Sequence, residues 1–191
     1  MNTVLQGLRQ GDTDSVIIGK VISGDIQCFE KLIIKYQRKI LGLCYSLVGK
    51  DLAEDAAQET FLKAYNSLSQ FKGQSSFGTW LFRISYNHCL NMLAKKKRER
   101  TVSLDELTDS QAERVFYADK QLEPDGMESR EFVDAVFEQM SSEEIYILTL
   151  REIEGLSYKE IAGELGVSVD AVKVRLFRAR RSFLERAKKI V

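Results

Sequence analysis

A single proline interrupts these 191 residues. On both sides of it, apolar residues recur at the three- and four-residue spacing of α-helices. Phe29, Leu32, Ile33, Tyr36, Ile40, Leu43, Cys44 and Leu47 form one such stripe over residues 26–48. After Gly49 and Lys50, a second stripe runs through Leu52, Ala56, Thr60, Phe61, Ala64 and Leu68. Asp51, with Glu54 three residues on, is placed to cap that second helix. Residues 71–76 are rich in Gly and Ser and read as a loop, after which a further helix starts near Phe77 and reaches the basic run at 95–98. No segment alternates apolar and polar residues long enough for a strand, and no Asn-Gly turn occurs. The pattern predicts an all-α chain.

Pro124 lies in the strongest breaker cluster of the chain, LEPDG at 122–126. The residues before it show no sustained period. The expected organisation is therefore a helical domain over residues 1–98, a linker over 99–128, and a second helical domain over 129–191.

Formal charges cancel, 28 basic against 28 acidic, yet they are unevenly placed. Residues 1–98 hold 14 basic and 8 acidic side chains, a net of +6; residues 99–140 hold 4 and 12, a net of −8; from Ser168 onward there are 8 and 2, again +6. Two basic ends around an acidic middle can engage a polyanion at both ends. Composition excludes several other classes. An apolar fraction of 44% with 29% charged residues suits a folded chain. No apolar run approaches the ~20 residues that span a bilayer, so no membrane insertion is expected, and the first residues lack a secretory signal. Cys28, Cys44 and Cys89 are scattered, with no CxxC pair, and read as reduced thiols of a cytoplasmic protein. With His88 as the sole imidazole, no phosphate loop and no carboxylate cluster at metal spacing, neither an enzyme nor a metal or other cofactor is expected.

The last 50 residues carry the most specific signal. SSEE at 141–144 and SYKE at 157–160 are capping boxes. The second opens a short helix with Ile161, Ala162 and Leu165 apolar, and Gly166 supplies the left-handed residue of a tight turn. Ser168 then caps a helix over about 169–189. This is the outline of a helix-turn-helix. On a wheel of 100° per residue, Val172, Leu176, Ala179 and Phe183 share a narrow packing stripe. The opposite face displays Asp170, Lys173, Val174, Phe177, Arg178 and Arg181, flanked by Arg175 and Arg180. A Phe exposed among cations suits a helix in the DNA major groove, where cations donate to guanine and Phe and Val meet thymine methyls. Flanking arginines hold phosphates.

Residues 51–65 (DLAEDAAQETFLKAY) resemble the region-two helix of bacterial RNA polymerase sigma factors, and residues 71–87 (FKGQSSFGTWLFRISYN) resemble the adjoining promoter-melting segment. Residues 150–162 (LREIEGLSYKEIA) and 172–181 (VKVRLFRARR) resemble region four. Two blocks without a region three or an acidic extension are similar to the extracytoplasmic-function (ECF) subfamily. The resemblance covers about residues 14–190.

What the resemblance implies can be placed residue by residue. Asp55, Gln58 and Glu59 would dock on the β′ clamp helices of the polymerase core, with region four on the β flap. Phe71, Lys72, Gly73, Phe77, Asn87 and Asn91 would hold melted bases of the −10 element, with Arg83 and the 95–98 run along its phosphates, while Trp80 is read as core. Lys173, Val174, Phe177 and Arg178 would read the −35 element, with Arg175, Arg180 and Arg181 beside them. Lys173 stands where Arg is frequent in the family, and Lys lacks the bidentate fork. The acidic linker would run in a basic channel of the polymerase. The implied function is promoter-specific initiation of transcription, often in stress responses, in the cytoplasm, with an anti-sigma factor as partner that can hold the chain at a membrane. The competing reading is a stand-alone helix-turn-helix regulator, which would need a receiver or ligand domain; the N-terminal block has no strand–helix alternation to form one.

Overall fold

The structure, a computed structural model, describes residues 14–103 and 127–190, with side chains over 14–98 and 132–190. Among the described residues there is no strand, and the all-α expectation holds. Most of the linker expected at 99–128 lies outside the described residues.

The first half comprises α1 (Asp14–Ile22), α2 (Phe29–Val48), α3 (Lys50–Ser67) and α4 (Phe77–Ser103), with 3-10 turns at Ile26–Cys28 and Leu68–Gln70. The α2 stripe is buried as the sequence predicts: Phe29, Leu32, Tyr36, Ile40, Leu43, Cys44 and Leu47 all face inward, and Ile33 packs partly buried against them. On α3 the buried positions are mostly small, Ala53, Ala56, Ala57, Thr60 and Ala64, with Phe61 the one large side chain among them. Small side chains let α3 lie close against α2 and α4, whose Leu81, Phe82 and Cys89 complete the core. The one polar α3 residue in that core, Thr60, donates its hydroxyl to the Ala56 carbonyl at 2.7 Å, so no buried hydroxyl is left unpaired.

The expected Asp51 cap does not form. Gly49 ends α2 and begins α3 at once (φ 81°, ψ 172°), α3 starts at Lys50, and no side chain caps it. With one residue serving both helix ends, Asp51 falls inside the first turn, where its carboxylate meets the positive end of the helix dipole.

The second half comprises α5 (Met127–Phe137), α6 (Ser142–Leu148), a π-helical turn (Thr149–Ile153), α7 (Tyr158–Leu165) and α8 (Val169–Ile190). Both expected capping boxes are present. Ser141 Oγ accepts from the Glu144 amide at 3.3 Å while the Glu144 carboxylate accepts from the Ser141 amide at 2.9 Å. The Ser157–Glu160 pair repeats this at 3.3 Å and 2.8 Å. Gly166 adopts φ 64°, the left-handed conformation that turns α7 into α8 at little cost for a residue without a β-carbon. Ser168 accepts from the Ala171 amide at 3.2 Å to start α8. The core of this half joins Val136, Ile145, Leu150 and Ile161 to Val172, Leu176 and Ala179. Phe183 packs edge-on against Phe137, with ring centroids 5.8 Å apart. No described helix is long and apolar enough to cross a membrane.

Candidate polymerase and nucleic-acid interfaces

The alanines that α3 buries leave its opposite face to solvent. Asp55, Gln58 and Glu59 are all exposed there, as the wheel requires. Leu62, seven residues after Asp55, completes the stripe and is 56% exposed. The sequence analysis did not single it out, although the same wheel that places Asp55 outside places Leu62 beside it. An exposed leucine at the end of a stripe of carboxylates and an amide adds apolar surface to a polar face, a mixture that protein interfaces use.

On α4, Arg83, Asn87 and Asn91 follow one another at four-residue steps and are all exposed. They form a strip on one side of the helix. The Phe71–Phe77–Trp80 cluster sits at the helix start, with Phe71 5.2 Å from Trp80 and 5.9 Å from Phe77, both centroid to centroid. From Phe77 to Asn91 the helix rises ~21 Å, so the expected −10 residues line a track rather than a single pocket. Lys72 and Gly73 are exposed in the loop, and Phe71 is half-buried. Phe77 is corrected: at 2% exposed, packed on Tyr36 and Trp80, its ring is unavailable to a base and instead supports Phe71 from beneath. Trp80, read as core, is half-buried within the same cluster.

His88 lies on α4 beside this strip. Lys63 Nζ donates to its Nδ1, which fixes the neutral ring with the proton on Nε2. That Nε2 is buried without a partner. Desolvation, and then the Lys63 charge, hold the imidazole below its usual pKa of 6.5.

On α8 the two faces separate as expected. Val172, Leu176 and Ala179 are buried, while Phe177 is 66% exposed and Val174 48%. Lys173, Arg175 and Arg178 are exposed around them. Lys173 donates to Asp170 at 2.9 Å, Arg180 donates through Nη2 to Glu152 at 2.6 Å, and Arg181 donates through Nε to Glu185 at 2.7 Å. These are exposed pairs, each worth ~0–1 kcal/mol, and a phosphate can displace them. Arg175 and Arg178 have no such carboxylate partner within their helix; they line a cavity of about 610 Å³ together with Tyr86 of α4 and Glu143 and Glu144 of α6.

Two family models match in the order the motifs suggest: sigma-70 region 2 over residues 32–99 and sigma-70 region 4 over residues 132–183. The RNA polymerase sigma-H factor of Pseudomonas aeruginosa is 37% identical over 90% of this chain and 92% of its own length. The ECF RNA polymerase sigma-E factor of Escherichia coli K12 is 34% identical over 89% and 92%. The chain belongs to the ECF sigma factors. It therefore acts in promoter-directed initiation of transcription. Among solved structures, the sigma factor RpoE of Bartonella quintana, in complex with the anti-sigma factor NepR, aligns with a TM-score of 0.62 at 25% identity, covering 84% of this chain and 96% of that one. CnrH in complex with the cytosolic domain of CnrY aligns with a TM-score of 0.63 over 91% and 96%, at an identity of 22% that speaks for the fold.

Within this sigma factor the two halves touch. Arg83 of α4 donates through Nε and Nη2 to both carboxylate oxygens of Glu164 on α7. The Tyr86 ring of α4 stacks on Tyr146 of α6, centroids 4.0 Å apart and planes 7° from parallel. Burial and the neighbouring Glu164 push the Tyr146 phenol well above its ordinary pKa, so it stays a donor. Lys39 of α2 donates to Glu154 of the second half at 2.8 Å. Sequence reading missed Glu154, Glu164, Tyr86 and Tyr146. No local pattern marks them, because each acts through a partner more than 50 residues away.

Proposed function

We propose that this sigma factor divides its work among three surfaces. The α3 face of Asp55, Gln58, Glu59 and Leu62 docks on the β′ clamp helices of the polymerase core, where carboxylates meet arginines in charge-assisted bonds. The α4 track holds the melted −10 strand: Phe71 stacks an unpaired base, Asn87 and Asn91 hydrogen-bond base edges, and Lys72 and Arg83 face phosphates. Each stacked base offsets lost pairing by ~1–3 kcal/mol. The exposed face of α8 reads the −35 element, with Lys173, Val174, Phe177 and Arg178 toward base edges and Arg175, Arg180 and Arg181 toward phosphates.

The observation that carries this reading is the exposure of Phe177 and Val174 among cations on a helix whose other face is fully packed. A solvated surface helix gains nothing from such a ring; a thymine methyl does. The work is binding rather than catalysis, and the chain is not an enzyme. Its setting is the bacterial cytoplasm. The RpoE–NepR complex supports an anti-sigma factor as partner, one that can hold the chain at a membrane. The acidic linker, repelled by promoter DNA, fits a basic polymerase channel.

Transcription reconstituted with bacterial core polymerase on a promoter library tests the division. Arg178→Ala should relax base preference in the upstream element by ~1–3 kcal/mol and leave core binding unchanged. Gln58→Ala with Glu59→Ala should abolish core binding and spare the fold. Equal losses of both activities in both variants would falsify it.

A further inference from the structure

Asp170 is the carboxylate that the −35 reading leaves without a task. Of the two acidic residues from Ser168 onward, Glu185 lies ~22 Å further along the helix and accepts from Arg181 at 2.7 Å. Asp170 stands in the first turn of α8. At 100° per residue, positions 170, 173, 174 and 177 fall within an arc of about 100°. The carboxylate therefore shares the face of Lys173, Val174 and Phe177. Its side chain is 87% exposed, and Lys173 Nζ donates to its Oδ1 at 2.9 Å.

A carboxylate on this face is unfavourable beside DNA in general. Every phosphate repels it, and it lowers the positive potential that the rest of α8 supplies. An acid in a first turn does favour the helix dipole. The dipole accounts for the turn, but it is indifferent to the direction of the side chain around the helix axis. In the major groove one partner suits this group. Cytosine presents the N4 amino donor there, and carboxylates accept from it. The N-terminal residues of a recognition helix are the ones that meet base edges.

The bond to Lys173 sharpens the match. A C·G pair presents, side by side, the cytosine N4 donor and the guanine O6 and N7 acceptors. Base pairing joins N4 to O6, so the two stand one ordinary hydrogen bond apart, ~2.9 Å. The Asp170 acceptor and the Lys173 donor stand at the same spacing. An A·T pair also sets a donor beside an acceptor, but thymine O4 is a single acceptor where guanine gives an ammonium two. The second acceptor favours C·G. Lys lacks the fixed fork of Arg, and a carboxylate three residues away supplies the direction that the fork would give.

We propose that Asp170 and Lys173 act as one reader and specify a single C·G pair in the −35 element, Asp170 accepting from cytosine N4 and Lys173 donating to guanine O6 and N7. The inference rests on the reading of α8 as the −35 helix and adds the base pair that its first turn selects.

The test is transcription by core polymerase carrying the full chain, on a library in which every position of the upstream element is varied. The wild type should prefer C·G at one position by about 5- to 150-fold. Asp170→Ala should flatten that preference by lowering transcription from the C·G templates. Asp170→Asn, of the same shape, should move it toward A·T, because an asparagine amide pairs with adenine N6 and N7. Lys173→Ala should weaken the preference at the same position, and the double alanine variant should lose little more than either single one, since the two residues act together. Preferences at the other positions should survive in each. An unchanged preference in Asp170→Ala overturns the proposal. So does an even loss over the whole library, which marks a loosened helix start, and so does a wild-type preference for A·T at the position that Asp170 governs. Arg178→Ala and Phe177→Ala test the reading beneath: if neither alters any upstream preference, the α8 reading itself fails, whereas a change in them with none in the Asp170 variants overturns this inference alone.

Discussion

Leu176 and Phe177 are consecutive on α8 and should fail in opposite ways when cut to alanine. Leu176 is 1% exposed and faces the packed side of the helix-turn-helix. Removing its three outer carbons leaves a cavity bounded by neighbours that cannot all collapse, a loss of ~3 kcal/mol. For a domain of this size each kcal/mol lowers Tm by ~4–8 °C, so Leu176→Ala should melt at least 10 °C lower, roughly. Phe177 is 66% exposed. Cutting it removes little packed surface, and Phe177→Ala should stay within ~0.5 kcal/mol of the parent. Its effect should fall instead on the promoter: a lost apolar contact to a base edge costs ~1–3 kcal/mol, about 5- to 150-fold in −35-dependent activity. Thermal unfolding followed at 222 nm, with run-off transcription on a promoter and on a copy altered in its upstream element, reads both effects. The reasoning fails if Phe177→Ala melts with Leu176→Ala, or if it melts normally and transcribes normally.

Other surfaces give sharper contrasts with less at stake. Leu62→Glu should weaken core binding about tenfold or more, by burying an unpaired charge in the docking face, while leaving Tm unchanged; competition with labelled wild-type chain for polymerase core measures it. Ser141→Ala removes one partner of a formed capping box and should cost ~1 kcal/mol, visible as a small fall in Tm. His88 sets a pH dependence. Its folded pKa lies below the unfolded value of 6.5, so the unfolded chain binds the extra proton and stability falls as pH drops through that value. His88→Gln should flatten the part of the Tm profile between pH 7.5 and 5.5, roughly, and an unchanged profile refutes the assignment.

Faces of single helices were legible in the sequence because their periodicity is a local property. The wheel for α8 separated Leu176 from Phe177, and the wheel for α3 put Asp55 outside and Phe61 inside. Capping was legible at Ser141 and Ser157, where a loop precedes the serine and leaves it free to turn outward. It failed at Asp51, where Gly49 joins two helices with no spare residue. Phe77 was misjudged for a different reason. An aromatic residue at a helix start can serve a ligand or a core, and the choice depends on Tyr36, 41 residues away, against which its ring closes at 5.5 Å.

The charge arithmetic shows why the arrangement of the halves was beyond reach. By segment, the C-terminal block is weakly basic and α4 carries exposed cations, which suggests two separate surfaces awaiting a polyanion. In the folded chain, two acidic residues of that block, Glu154 and Glu164, are among its most deeply placed carboxylates, and each lies against a cation of the first half. A carboxylate is seldom left this far from water without a partner. These two are held where they are because Lys39 and Arg83 meet them, and separating the halves returns both carboxylates to solvent, where the two cations already have about half their surface. Opening therefore returns desolvation energy to the carboxylates as it breaks the ion pairs. The two effects oppose each other, and the net barrier is small compared with the Coulomb attraction alone.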